Sequence, residues 1–417
     1  MDKLNQVKPK ISFLLGSGFS IPEGIPGVRQ LNTRLSKIDE SEIVIHSSQN
    51  AGFLNGQPDP NRFSNADERK FVQEFLEFYN SEVLSEGEEF HYETFYDFYS
   101  GYIYISENSD QIESFCNRFN AIYDSDSPYK IDTYNRLISF NRTFNQLVAS
   151  QLHKLRYHES VSYLNYYPYD SFVGFIRQIL LTHDIKLHSL NHDLFFDFLG
   201  QRHADLWQHY CDGYQIEGSP FYGEVYRNIS RDPQISINKR DYIKLSQFNG
   251  KFDKPLSFFK LHGSVVNTIL STPEPNSQRV RIKAEYGVQM YYMEVYDELT
   301  KSHRFERLWD QVDPDFLSGT TNKTRFYKRD PYYINILEHF KQNLESSEKL
   351  IVIGYGFQDP GINEFIENNF LSKGKKMIVI DPFLPKTSLI EKYGAVHVPK
   401  GVTELSYEEY CDLISKT

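Results

Sequence analysis

Two short segments place an amide, an acid and a histidine where apolar runs end. Ser189-Leu190-Asn191-His192-Asp193 follows the alternating run 185–188, and His262-Gly263 follows the strand-like run 256–261. An unperturbed histidine titrates near neutrality, where a general base works best, so His262 is the base candidate. Asn191 is the candidate holder of a water or a hydroxyl group. Each has a plainer alternative: Asn191 also suits the cap of a helix beginning near Asp193, and His262 a turn satisfied by backbone. Two glycine-bearing segments end further apolar runs, Gly16-Ser17-Gly18 after Ile11, Phe13, Leu14 and Leu15, and Gly354-Tyr355-Gly356 after 351–353. Glycines at such turns permit positive φ and bring backbone N–H groups close to an anion, with the next helix adding favourable potential. The first segment therefore reads as a nucleotide site.

The elements that position these residues follow from periodicity. The run 11–15 predicts a strand buried on both faces, as in a parallel sheet. Pro26 suits the first turn of a helix with Val28, Leu31 and Leu35 on its apolar side. Towards the C-terminus a helix over 334–344, a strand over 350–353, a helix face of Ile362, Phe365, Ile366 and Phe370, and a strand over 377–380 predict a βαβ rhythm. Asp381 ends the last of these. An acid there commonly accepts from ribose hydroxyls, although a turn aspartate before Pro382 fits equally. Alternating strands and helices predict an α/β fold, a Rossmann-like doubly wound parallel sheet with ligand at the carboxyl ends of its strands. Between its parts fall a mainly helical insertion over 47–165 and a second, irregular insertion or lid over 271–330. The sheet is then divided over 1–46, 166–270 and 331–417. Within the first insertion a polar stretch over 47–65 reads as loop, and Ile112, Phe115, Cys116, Phe119 and Ile122 form one amphipathic face. Its aromatic excess, including Phe75, Phe78, Phe95 and Tyr99, reads as core, with a partner or self-assembly surface as the alternative.

Gly16-Ser17-Gly18-Phe19-Ser20, then Gly24-Ile25-Pro26-Gly27-Val28-Arg29, resembles the sirtuin signature GAGxS followed by GIPxFR at the same spacing. Asn191 and Asp193 match the TQNxD strand end, His262-Gly263 the following His-Gly, and Gly354 to Phe357 a Gly-rich strand end, all in the family's order. The resemblance covers residues 8–40, 170–270 and 345–400. It implies that Asn191 and His262 are catalytic, that Asp193 meets a nicotinamide carboxamide, and that Gly16, Ser17, Gly18, Ser20, Arg29, Gly354, Gly356 and Asp381 bind the dinucleotide. Ser20 also reads as a turn hydroxyl, Arg29 as a solvated helix residue and Asp359 as a helix cap. The departures matter as well. Three cysteines, Cys116, Cys211 and Cys411, contain no CxxC pair, so the four-thiolate zinc site of deacylase sirtuins is excluded. Gly27, Val28 and Leu190 replace the family's acid, phenylalanine and glutamine. The segment through Ile362 and Asn363 resembles zinc-free sirtuin-like proteins of bacterial anti-phage defence, which hydrolyse NAD.

That resemblance implies an NAD+ hydrolase releasing nicotinamide and ADP-ribose. NAD is then the substrate, without zinc, and the enzyme is an effector of phage defence by NAD depletion. It further implies a homo-oligomer paired with a HerA-type ATPase. A protein deacylase and a non-catalytic NAD- or ADP-ribose-binding module are the alternatives. Hydrophobic content of 40% with a mean hydropathy of −0.53 leaves no apolar run near bilayer length. The opening residues lead directly into a strand without a signal peptide, and few cysteines suit a reducing cytosol, so a cytoplasmic location is expected. A net charge of −11 argues against nucleic-acid binding. The sequence holds neither a P-loop nor a Gly-x-Ser-x-Gly elbow. His192, His203, His209 and Cys211 do not share a helix face and match no zinc spacing.

Overall fold

The structure is a computed structural model and describes residues 8–45, 51–53, 66–123, 131–152, 167–228, 238–275, 277–284, 288–309, 311–312, 314–316 and 330–415. Among these the largest sheet has seven strands: β1 (Lys10–Leu15), β2 (Asp184–Ser189), β3 (Tyr210–Cys211), β4 (Leu256–Lys260), β5 (Ser347–Ile353), β6 (Met377–Ile380) and β7 (Val396–Val398). Their spatial order is β7-β6-β5-β1-β2-β4-β3, and every pairing is parallel. Apart from the two-residue β3 at one edge, this is the Rossmann-type order, which reverses direction between β1 and β5. The register makes the carboxyl ends finish level. Leu15 lies opposite both Ser189 and Ile353, Lys260 opposite Ser189, and Ile380 opposite Ile353.

Near-continuous apolar strands imply a sheet covered on both faces. Ile11, Phe13 and Leu15 turn to one core, with Phe172, Phe175 and Ile176 of the helix Asp170–Thr182. Leu14, Leu350 and Val352 turn to the other, with Ile336 and Phe340 of Pro331–Ser346 and Ile362 and Ile366 of Pro360–Asn369. The first insertion is helical, comprising α-helices Ala66–Phe78, Tyr92–Ile105, Ser109–Tyr123 and Thr133–Leu152. Its aromatics are core: Phe75 packs on Phe95, Phe115 and Phe140 with ring centroids 5.6, 5.1 and 5.0 Å apart. Of the polar stretch 47–65, only 51–53 lies within the described residues, and Ala51–Phe53 pairs with Ile43–Ile45 as a small antiparallel ribbon.

The described residues of the second insertion are not irregular. Asn267–Ser271, Arg279–Lys283 and Gln311–Val312 join Tyr214–Gln215 and Gln247–Phe248 in one sheet, and Val288–Asp297 and Ser302–Leu308 join Phe221–Asn228 and Asn238–Lys244 in another. Polar segment ends mask a period-two signal such as that of Arg279-Val280-Arg281-Ile282-Lys283, in which Ile282 is buried. Two of the five strands of the first sheet and two of the four of the second come from residues before 250, inside the segment expected to belong to the Rossmann part.

Candidate functional site

A cavity of about 330 Å³ opens where the strand order reverses, and loops from four strand ends line it. Gly16 and Ser17 follow β1, Leu190 to Asp193 follow β2, His262 follows β4, and Gly354 to Pro360 include most of the loop after β5. In open α/β sheets this crevice is where ligands bind. Pro26, Val28 and Leu31 close one side at the helix Val28–Leu35. Tyr92 and Glu93 from the start of Tyr92–Ile105, with Leu152 from the end of Thr133–Leu152, close another. Glu93, Asp193 and Asp359 are the lining carboxylates, and the described lining includes neither Lys nor Arg.

The glycines work differently from the sequence expectation. Gly16 donates its N–H to Ile353 O (2.9 Å) and Gly18 to Gly354 O (3.0 Å), so both groups are committed to the backbone and not offered to an anion. The two loops cross in contact. A Cβ on Gly16 would lie 2.4 Å from Gly354 O, and one on Gly18 2.7 Å from Gly354 Cα. Gly354 itself sits at φ +61°, where a Cβ would fall 2.5 Å from Gly18 Cα. Gly356 is different: its nearest neighbour would be Gln358 Cγ at 3.8 Å.

Asn191 is held by the first loop. Its side-chain amide donates to Gly16 O (2.8 Å) and to Ser20 Oγ (3.2 Å), and its own N–H donates to Ser189 Oγ (3.1 Å). A carbonyl faces the amide nitrogen, so the amide orientation is fixed by chemistry. Oδ1 is then the atom that can accept from a ligand hydroxyl or water. Asn191 caps no helix. The next helix is Phe195–Arg202, and Asp193 Oδ1 accepts from Phe195 N–H (2.9 Å) just before it. Ser20, expected to touch phosphate, is buried beneath the cavity and does not line it; its hydroxyl bonds the Asp193 carboxylate. Burial pushes the Asp193 carboxyl above its usual range, against the opposing pull of Lys260, the Phe195 N–H and Ser20.

His262 is buried, with Nε2 standing 3.1 Å from Asp359 Oδ2. The other carboxylate oxygen accepts from Ile362 N–H (3.1 Å), capping Pro360–Asn369, and Pro360 occupies the first helical position. Asp359 is thus the expected cap and also the partner of His262. Its loop is tightly tied. Tyr355 Oη donates to Asn363 Oδ1 (3.0 Å) and accepts from Asp359 N–H (3.2 Å), Asn363 Nδ2 donates to Phe357 O (2.8 Å), and Phe357 adopts φ +57°. A bulky residue in that region stores about 1–2 kcal/mol of strain, a feature that clusters at functional sites. Gly263, at φ +78°, is required as well, since a Cβ would lie 2.6 Å from Tyr333 Oη.

Of the residues singled out in the sequence, Gly16, Ser17, Asn191, Asp193, His262, Gly354 and Gly356 line the cavity, whereas Gly18, Ser20, Arg29 and Asp381 do not. Arg29 lies on the exposed side of its helix. Asp381 accepts from Phe383 N–H (2.9 Å) as a turn aspartate. His192, weighed in the sequence only as a metal ligand, also lines the cavity, as do Tyr92, Glu93 and Leu152, which are not site candidates there; the sequence carries no local signal that brings the helical insertion to this wall. Among the described residues no group of three His, Cys, Asp or Glu side chains is placed to hold a metal ion.

No protein-family model matches the chain and no curated protein is similar to it. Similar solved structures include a Sir2 homologue–NAD complex (11% identity, TM-score 0.35, covering 98% of this chain and 91% of that one). A Sir2–p53 peptide–NAD+ complex matches at 10% identity and TM-score 0.36 over 99% of this chain and 96% of that one. A structure described as the structural basis of sirtuin substrate affinity matches at 11% identity and TM-score 0.35 over 99% of each chain.

Proposed function

We propose that the chain is an NAD+ glycohydrolase that splits NAD+ into nicotinamide and ADP-ribose. The observation that carries this reading is one cavity, at the reversal of a Rossmann-type sheet, into which Asn191 and the His262–Asp359 pair converge. The sequence resemblance to sirtuins supplies the substrate. Three lining carboxylates suit a pyridinium cation.

The reaction follows from those groups. Cleavage passes through an oxocarbenium-like state at the ribose carbon, as at other glycosidic centres. The carbon–nitrogen bond breaks with its electron pair going to the pyridinium nitrogen, so nicotinamide departs neutral and needs no proton. Water forms the new carbon–oxygen bond. His262 takes its proton, directly or through a ribose hydroxyl, with Asp359 steadying the charged ring. Asn191 Oδ1 orients the water or the hydroxyl, and Asp193 meets the carboxamide. Ser17, Gly354 and Gly356 border the remainder of the ligand. Gly18, Ser20, Arg29 and Asp381 drop out of direct contact in this reading.

The setting rests on the sequence resemblance alone: phage defence by NAD depletion, in a self-assembled particle paired with a HerA-type ATPase. No helix among the described residues is long and apolar enough to cross a membrane. Nicotinamide release is the test, measured by chromatography on purified protein with and without an acetyl-lysine peptide, alone and with a co-encoded ATPase. Peptide-independent release is expected. Release only in the presence of peptide supports the deacylase alternative, and NAD+ bound without turnover supports a binding module.

A further inference from the structure

Behind the loop that carries Asn191 and Asp193 lies a buried chain of charges that the proposed reaction does not use. Lys260, the last residue of β4, is buried, and its ammonium donates to the carbonyl oxygens of Asn191 (3.3 Å) and Asp193. The third contact is Asp197 Oδ2 at 3.6 Å. An ammonium has three donors and no acceptor, and here three oxygens surround it, two of them backbone carbonyls on either side of His192. Asp197 is held in turn. Lys283 Nζ lies 3.2 Å from its Oδ1 and also bonds Asp212, and Tyr210 Oη donates to it at 3.3 Å. Burial works against the Asp197 charge, yet Lys283 and Lys260 together keep its carboxyl below the usual range. Lys283 belongs to Arg279–Lys283, a strand of the second insertion.

We propose that Lys260 is the positioning residue of the site, fixing the Asn191–Asp193 backbone through its two carbonyls, and that the Asp197–Lys283 pair ties this anchor to the antiparallel insertion. The inference rests on the hydrolase reading only where turnover is measured. Lysine suits the task because a main-chain carbonyl can be held rigidly only by a donor, and a buried cation persists only beside a compensating acid. Without the ammonium, the two carbonyls lose a charge-assisted partner, and Asn191 Oδ1 moves relative to the reacting carbon.

The test uses the full chain with Lys260→Met, which retains much of the side-chain volume. The expected result is a fall in kcat of about 100-fold with KM nearly unchanged, together with amide hydrogen exchange at 190–195 accelerated about tenfold or more while the main sheet stays protected. The double variant K260M/D197N removes the acid left short of a cation and covers the case in which the single variant fails to fold. It is expected to recover Tm without recovering kcat, a separation that a merely stabilising lysine would not show. Unchanged exchange at 190–195, or a kcat that returns with Tm, overturns the proposal. The exchange measurement decides even if the wild-type chain releases no nicotinamide, an outcome that counts against the hydrolase reading alone.

Discussion

Asp359 uses its two oxygens for two purposes, one closing the first turn of a helix and the other beside His262 Nε2. Asparagine caps a helix as well as aspartate does, but it carries no charge to balance an imidazolium. Asp359→Asn is therefore expected to leave stability within about 1 kcal/mol of wild type and to lower kcat about 100-fold. Asp359→Ala should lose the activity and a further ~1 kcal/mol of stability as the cap disappears. Urea unfolding and steady-state kinetics on the two variants check this; an Asn variant with full activity would remove Asp359 from the mechanism. The sequence made Asn191, Asp193 and His262 legible because each stands next to a recognisable strand end. Asp359 read only as a cap, since its contact with His262 joins two loops on opposite sides of β1 in the sheet. Ser20 and Arg29 read as ligand contacts because a motif shows residue order but not burial or helix face.

The loops after β1 and β5 approach each other so closely that glycine is required for sterics before any ligand is considered. Gly354→Ala adds both a left-handed φ and a backbone clash, and should destabilise the fold by about 2–4 kcal/mol. Gly356→Ala, whose Cβ would meet only Gln358 Cγ at an ordinary 3.8 Å, should stay within about 0.5 kcal/mol of wild type. Thermal unfolding of the two variants side by side is the check, and equal losses would contradict the loop-crossing account. Five of the seven strands of the main sheet, and the helices after Pro26, over 334–344 and through Ile362 to Phe370, were readable because apolar runs and period-3.6 faces are local signals, whereas the edge strands Tyr210–Cys211 and Val396–Val398 and the helix Asp170–Thr182 were not. The antiparallel insertion was not, because its strands pair with segments before residue 250 and its ends are rich in turn-forming residues. The anion-cradle reading of Gly16 and Gly18 failed for a related reason: a glycine turn looks the same in sequence whether its N–H groups face a ligand or a neighbouring strand end.

The molecule encloses the site by combining parts of separate origin. The sheet brings four loops level, while the helical insertion adds Tyr92, Glu93 and Leu152 to the wall. Both faces of that sheet are packed, and this makes the fold sensitive to acid through His188. Its Nδ1 donates to Phe13 O (3.0 Å), Nε2 accepts from Asn343 (3.2 Å), and burial pulls the ring down to about 3 from an ordinary 6.5. The folded state keeps this histidine neutral, whereas the unfolded chain protonates it near 6.5. Its contribution to stability is thus complete above that value and is lost as pH falls through 6.5 towards 3, by about 1.4 kcal/mol per pH unit. His188→Gln should be less stable than wild type at pH 7 but lose less stability between pH 6.5 and 4, as urea midpoints at each pH would show. Parallel losses in the two proteins would exclude His188 as the source.

The central claim is that one cavity hydrolyses NAD+ with Asn191 and His262, and nicotinamide release from NAD+ by wild type, Asn191→Ala and His262→Ala tests it most directly. NAD+ binding and Tm are followed on the same samples. The account predicts turnover by wild type, in isolation or with its co-encoded ATPase, and a loss of about 100-fold or more in each variant while folding and NAD+ binding persist. Turnover that survives either substitution, or NAD+ bound by wild type with no nicotinamide released in either setting, would contradict it.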